Sequence, residues 1–339
     1  MNSEDKSPLV STFQVVAGHS GFVRVGHLVA KPLRDERGVR EAEFYALVCS
    51  PERMGIPPAI FMPKYFGIRL DGELRTEKTC EVREDRGNGG ATALPAPSPS
   101  LDDVISFRHQ RHQLQEQQLN SDKGTKKALI QAGTEAAAAL PSFLLLEDLS
   151  LPFSRPCILD VKMGVQSWDA LAPPEKVERE RKKWSAQGRL GLRLTGMRVW
   201  HGVEGGGGRW VQLNGEYCKG LSTIGDQGLE DGLREYLSGA KTQGSAVVAA
   251  AFVTRLLDIV KWFNTQEGHC FFSSSLLFLY EGAHGREGGD PHVDLRMIDF
   301  AHTWPMQAAA EQQHEPRDTG YLTGLSSLLR VLQQIIVTG

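Results

Sequence analysis

The stretch Pro156-Cys-Ile-Leu-Asp160-Val-Lys162-Met-Gly164 constrains this 339-residue chain more than any other. A short apolar run carries two opposite charges two residues apart. Alternation at a period of two puts both side chains on one side of an extended segment. A carboxylate and an ammonium aimed the same way, with a glycine close behind, suit a wall that holds a polar, anionic ligand. Residue types alone leave a solvated strand with a chance ion pair equally open. The rest of the chain has to decide.

The length allows one large core or two lobes. With 40% hydrophobic and 23% charged residues, nothing points to a disordered or fibrous chain. The formal charge of -3 gives no global basic field, so nucleic acid is not an expected partner and any anion site must be local. The five cysteines are scattered, with no Cys-x-x-Cys pair, which argues against a zinc site or disulfide framework and for a reducing compartment. The polar N-terminus shows no signal peptide. The longest apolar stretch, around Ala246 to Val253, is far short of a membrane span, so no stable membrane insertion is expected.

Residues 1–12 read as a disordered lead-in. Phe13–Val16 reads as a strand, Gly18-His-Ser-Gly21 as a turn, and Phe22–Lys31 as a returning strand. A glycine-bearing tip followed by a strand lysine is how protein kinases cover and contact ATP phosphates, which makes Lys31 a candidate. A solvated strand end is the commoner fate of a lysine. Arg40–Cys49 has helical spacing. Glu43 or Glu41 on that helix could pair with Lys31. Residues 81–141 hold a Gly/Ala/Pro/Ser stretch, a Gln/His-rich segment and an alanine run, and read as a low-complexity insertion. Phe143–Leu149 is a buried strand ending in acids.

Pro173–Trp184 reads as a helix with a proline start, and Lys176, Arg179 and Lys183 share one face. Leu190–His201 reads as a strand with a partner at Trp210–Leu213. Leu229–Leu237 and Ala246–Thr265 read as helices. Phe271–Glu281 is an apolar strand with serines at its start, and Asp299 follows another apolar strand. Asp318–Ile336 is an amphipathic closing helix.

Four of these stretches, in this order, resemble the inositol polyphosphate kinase family. They are Gln14-Val-Val-Ala-Gly-His19, the Pro-x-x-x-Asp-x-Lys-x-Gly run at 156–164, Ser274-Ser-Leu-Leu277 with Tyr280-Glu-Gly282, and Ile298-Asp-Phe-Ala-His302-Thr. The resemblance runs from about Phe13 to the C-terminus, apart from the insertion. It implies an α+β fold of two lobes, distantly like protein kinases, with ATP between them. The N-terminal lobe would span 13–148 and the C-terminal lobe 149–339, with a substrate-binding helix at about 173–185. The implied reaction moves the ATP γ-phosphoryl group to hydroxyls of inositol tris- and tetrakisphosphates, with magnesium.

The resemblance also implies roles. Lys31, Lys162 and Asp299 would be catalytic. The match to Glu-Phe-Tyr favours Glu43 over Glu41 as the partner of Lys31. Glu147 and Leu149 would meet adenine, and Asp160 the ribose hydroxyls. Lys162, Lys176, Lys183 and His302 would grip inositol phosphates, and Asp299 with Ser274 would lie at the metal. The bland readings remain open for Ser274, as strand-edge satisfaction, and for His302, as a structural histidine. Within the family the multikinase branch fits best. The span from Gly164 to Gly196 is too short for the extra helical lobe of the trisphosphate 3-kinases. Trp184-Ser-Ala-Gln-Gly stands where the hexakisphosphate kinases carry a Cys…Ser-Thr-Ser run. A monomer in the cytoplasm, the nucleus or both is expected. A catalytically silent inositol-phosphate binder is the rival reading. An ordinary protein kinase is disfavoured, because the chain has neither a Gly-x-Gly-x-x-Gly loop nor a His-Arg-Asp loop.

Overall fold

The computed structural model describes residues 10–12, 21–49, 57–70, 142–169, 172–184, 186–203, 207–240, 243–282, 290–306 and 317–339. The Gln14–His19 motif, the expected strand at 13–16, most of the glycine tip and the insertion at 81–141 lie outside the described residues.

Two five-stranded antiparallel sheets organise the chain. The first has the order β1-β2-β3-β5-β4, with β1 (Val10–Thr12), β2 (Val23–Val25), β3 (Leu28–Pro32), β4 (Tyr65–Leu70) and β5 (Ser142–Glu147). Val10–Thr12, expected in a disordered lead-in, instead pairs with β2 as the edge strand. The expected single strand Phe22–Lys31 is a hairpin, β2 to β3, because Gly26 at φ 59° turns the chain left-handed between Val25 and Leu28. Helix α1 (Glu36–Cys49) packs on this sheet and starts four residues earlier than its spacing predicts.

The second sheet has the order β11-β10-β6-β7-β8. Its strands are β6 (Pro156–Met163), β7 (Leu192–Gly202), β8 (Gly208–Leu213), β10 (Ser275–Glu281) and β11 (Val293–Ile298). β6 lies at its centre. Cys157, Leu159, Val161 and Met163 join the main core, together with Leu276, Phe278 and Tyr280 of β10. That core is closed by α4 (Gly215–Ile224), α5 (Asp226–Leu237), α6 (Ser245–Phe263) and α7 (Thr319–Thr338). Each such apolar side chain buried contributes about 1.5–3 kcal/mol before the entropy of ordering is subtracted. The alternate residues of β6 face away from the helices, towards the first sheet.

Two short helices, α2 (Pro174–Lys183) and α3 (Gln187–Leu190), link β6 to β7. α3 ends at Gly191, φ +67°, where a side-chain carbon would fall 2.3 Å from the backbone nitrogen of Gly324. Only glycine lets α7 sit this close. Asp318 caps α7 by accepting from the Tyr321 amide at 3.0 Å, and its other oxygen accepts from the Phe271 amide at 2.7 Å. The expected strand Phe271–Glu281 is broken in two: β9 (His269–Phe271) pairs with β12 (Thr303–Pro305), and a left-handed Ser273, φ 55°, separates it from β10. Among the described residues no helix is long and apolar enough to cross a membrane.

Candidate active site

Between the two sheets lies a cleft of about 660 Å³. Three elements meet there at one ammonium group. In β3, Ala30 turns outward to pack with Phe143 and Leu145, so alternation turns Val29 and Lys31 into the cleft. Lys31 Nζ donates to Glu41 Oε1 of α1 at 2.9 Å and to Asp299 Oδ1, just past β11, at 2.5 Å. Asp299 is held by its neighbour. Phe300 is fully buried against Phe44 and Tyr45 of α1, with ring centroids 4.7 and 5.3 Å away. The backbone meets both demands by taking Asp299 to φ 63°, a left-handed conformation that costs a non-glycine residue on the order of 1 kcal/mol. Burial works to lower the Lys31 pKa, but the charges of Asp299 and Glu41 outweigh it and hold the group above the ordinary lysine value. Burial raises the Glu41 carboxyl, against the pull of Lys31.

The partner of Lys31 is therefore Glu41 and not Glu43, a correction to the sequence-based expectation. Two residues along a helix is about 200° of rotation, so only one of the two acids can face β3. Glu41 shares its face with Gly38 and Tyr45, which also line the cleft. Glu43 is half-buried on another face.

The floor of the cleft is β6. Ile158, Asp160 and Lys162 project from it in alternation and all line the cleft, as the spacing predicted. Asp160 is buried and its Oδ1 has no hydrogen-bond partner. Burial raises its carboxyl above the usual range, and the charge of Asp299 adds to that. Burial likewise lowers the Lys162 ammonium, partly offset by Asp299 and Asp160. Both groups are held at a cost to stability, the usual mark of residues kept for a ligand.

At one end the cleft is apolar, lined by Val29, Leu146, Leu149, Ile158, Leu277 and Leu279. Glu147 and Leu149 lie here. The amides of Glu147 and Asp148 already donate to the carbonyls of Lys64 and His27, at 2.9 and 3.3 Å. Glu147 Oε2 also accepts from the Lys64 amide at 3.1 Å. Asp148, given no role of its own in the sequence, accepts from Arg24 Nε at 2.7 Å and from the Ser150 hydroxyl at 2.6 Å.

At the other end stand Lys176 and Glu180 of α2, together with His302. α2 has no buried residue, so it borders the cleft without belonging to the core. The structure does not bring Lys183 to the cleft wall: its ammonium lies 5.2 Å from the Trp184 ring. His302 Nδ1 meets Asp169 Oδ2 at 2.6 Å. A carboxylate only accepts, so Nδ1 carries the proton. Ser274 is fully buried and lies off the cleft wall, because it shares the core-facing parity of Leu276 and Phe278. Ser273 lines the cleft in its place.

Neither Asp169 nor Arg193 was given a site role from the sequence. Arg193 lies between Leu192 and Leu194 on β7, opposite Lys162 on β6, and lines the cleft. The alternation Leu-Arg-Leu signals that Arg193 faces away from the leucines. Which strand it lies beside depends on a register shift at Asp160/Val161, where Thr195 is the extra residue, and no local pattern reveals that.

A strand lysine bridged to a helix glutamate, with an aspartate just past an apolar strand, defines the kinase class of nucleotide-binding clefts. The chain belongs to the inositol polyphosphate kinase family: the model described as "Inositol polyphosphate kinase" matches residues 143–333. It is 33% identical over 207 residues to inositol hexakisphosphate kinase 3 of Mus musculus, covering 57% of this chain and 50% of that protein. It is 33% identical over 141 residues to inositol polyphosphate multikinase of Rattus norvegicus, covering 42% of this chain and 34% of that protein. The chain thus matches half or less of the length of these relatives. The crystal structure of inositol phosphate multikinase Ipk2 from S. cerevisiae, in complex with ADP and Mn2+, superposes with a TM-score of 0.57 at 20% identity, over 92% of this chain and all of that one. This likeness extends the shared fold to the rest of the first sheet, of which the family model reaches only β5.

Proposed function

We propose that this chain is an ATP-dependent inositol polyphosphate kinase of the multikinase type, phosphorylating inositol tris- and tetrakisphosphates to tetrakis- and pentakisphosphates. The observation that carries the reading is the junction at Lys31, which ties β3, α1 and the end of β11 together in a cleft that is apolar at one end and cationic at the other.

The residues present suit a nucleotide. The apolar end accepts a base, with the hinge at Glu147–Leu149 along its edge. The unpartnered Oδ1 of Asp160 is a buried acceptor ready for ribose hydroxyls. Lys31 offsets nucleotide phosphate charge, while Lys162 lies further along the strand towards the acceptor. Asp299 suits a divalent cation. Among the described residues no three His, Cys, Asp or Glu side chains could hold a metal ion by themselves, and magnesium in phosphoryl transfer takes one or two carboxylates, the rest being phosphate oxygens and water. Bound there, it would neutralise charge on the transferring group. Lys176 and His302 face the acceptor, with Asp169 fixing the ring of His302. Such chemistry is mainly positioning and charge neutralisation.

The branch is the finer point. The compact 164–196 segment and the Trp184-Ser-Ala-Gln-Gly run favour the multikinase. The longer stretch shared with a hexakisphosphate kinase favours pyrophosphate formation as the second reading. The test is ADP release with Mg·ATP and each of inositol tris-, tetrakis-, pentakis- and hexakisphosphate, with products resolved by anion exchange. Turnover of the tris- and tetrakisphosphates is expected. Turnover of the hexakisphosphate alone would move the chain to the second reading. Binding without ADP release would make it a sensor.

A further inference from the structure

Lys162 and Arg193 face each other across β6 and β7 on the cleft side of the sheet. Directly opposed residues on antiparallel strands have Cβ atoms about 4.5–5.5 Å apart, and like charges in that arrangement repel. Both cations are also largely desolvated. Burial brings the Arg193 guanidinium down to about 10, only partly offset by Glu180 and Asp160, and burial lowers Lys162 as well. Among the described residues neither forms an ion pair with a carboxylate. Two half-buried cations opposed without a hydrogen-bonded carboxylate do not stabilise a fold.

Arg193 is moreover built into its position. Its Nη1 donates to the buried Ser167 hydroxyl at 2.5 Å and to the buried Gln187 Oε1 at 2.7 Å. Ser167 and Gln187 are themselves joined at 2.9 Å, and Gln187 donates to the Gly164 carbonyl at 2.9 Å. The Trp184 ring lies 4.0 Å from the guanidinium carbon. One edge of the fork is thereby fixed, while the buried Nε has no hydrogen-bond partner. Position along the cleft selects the ligand. Ile158 packs with Leu149 at the apolar end. Lys162 lies four residues further along the strand, about 13 Å away.

We propose that Arg193 is a further substrate-binding residue beside Lys162, its guanidinium holding a phosphate of the inositol polyphosphate and not of the nucleotide at the cationic end of the cleft. This deepens the kinase reading and rests on it for the direction of the substrate. Guanidinium is the right donor because its planar fork meets phosphate oxygens in pairs, which an ammonium cannot do.

The test uses the full chain with inositol tetrakisphosphate and Mg·ATP. Arg193→Met is expected to raise the KM for inositol tetrakisphosphate about tenfold or more, leaving the KM for ATP within about twofold. Arg193→Lys should recover part of the loss. A merely structural arginine would give a lower Tm with equal shifts in both KM values, and that result overturns the assignment. Calorimetric binding of inositol tetrakisphosphate separates this claim from the kinase reading. If the wild type binds it without releasing ADP, the kinase reading fails. The assignment then stands if Arg193→Met weakens binding about tenfold, and falls if binding is unchanged. A wild type that does not bind inositol tetrakisphosphate overturns the assignment.

Discussion

The two ends of the cleft treat their charges in opposite ways. At the apolar end the acids are engaged within the protein: Asp148 by Arg24 and Ser150, and Glu147 by the Lys64 amide. At the other end Lys162 and Arg193 stand partly desolvated without a carboxylate partner, and midway along β6 the buried Asp160 keeps an unpartnered oxygen. Between them, Lys31 is paired twice. A satisfied group positions the chain. An unsatisfied one in a pocket is held for something that is not part of the chain. By that criterion one end is a shaped slot and the other a charged receptacle, with the paired lysine at the junction.

The largest effect is expected at that junction. Asp299→Asn should lower kcat by about a thousandfold with the fold retained, since it removes charge from the transferring centre. Near-normal turnover would take Asp299 out of the metal role. Next comes the choice of acid on α1. Glu41→Gln breaks a buried pair whose lysine is 19% exposed, and both activity and Tm should fall, by about ten- to a hundredfold in kcat/KM. Glu43→Gln should stay within about twofold. The reverse order would restore the assignment that the sequence favoured.

Smaller and more selective effects are expected on α2. Lys176→Ala should raise the KM for inositol phosphate about tenfold while sparing ATP. Lys183→Ala should do less, because Lys183 lies by Trp184 and off the cleft wall. The smallest effect concerns stability. The folded state raises the Asp160 carboxyl through burial and the charge of Asp299. Such a group favours the fold at low pH, and that advantage is lost as pH rises through its folded value. Asp160→Asn should therefore melt above the wild type at pH 7, with the difference vanishing below about pH 3, where the wild-type carboxyl is protonated whether folded or unfolded. Equal melting at both pH values would mean that Asp160 is not strained by its burial.

What the sequence made legible follows from the range of the signal. Asp160 and Lys162 share a face because the strand period is local, and the structure keeps them there. Asp299 was legible for the same reason, at the end of an apolar strand. Glu41 against Glu43 was not legible, because helix phase relative to another element is a tertiary property, and neighbouring acids carry no mark of which one faces β3. Gly26 and Ser273 broke two expected strands through single left-handed residues, which period-two patterns pass over. Ser274 then fell on the core side of its strand. Arg193 required the register of β6 against β7, with its one-residue shift, and lay hidden in a strand that otherwise reads as core.

The division of the cleft is tested most directly by calorimetry with two ligands, a non-hydrolysable ATP analogue and inositol tetrakisphosphate, on the wild type, Leu277→Trp and Lys176→Ala. Leu277 is part-buried in the apolar wall, and a larger ring there narrows the slot. The expected result is a crossed pattern, in which Leu277→Trp weakens the nucleotide analogue at least about tenfold and spares the inositol phosphate, while Lys176→Ala does the opposite. Parallel losses of both ligands in both variants would contradict a cleft with two chemically distinct ends.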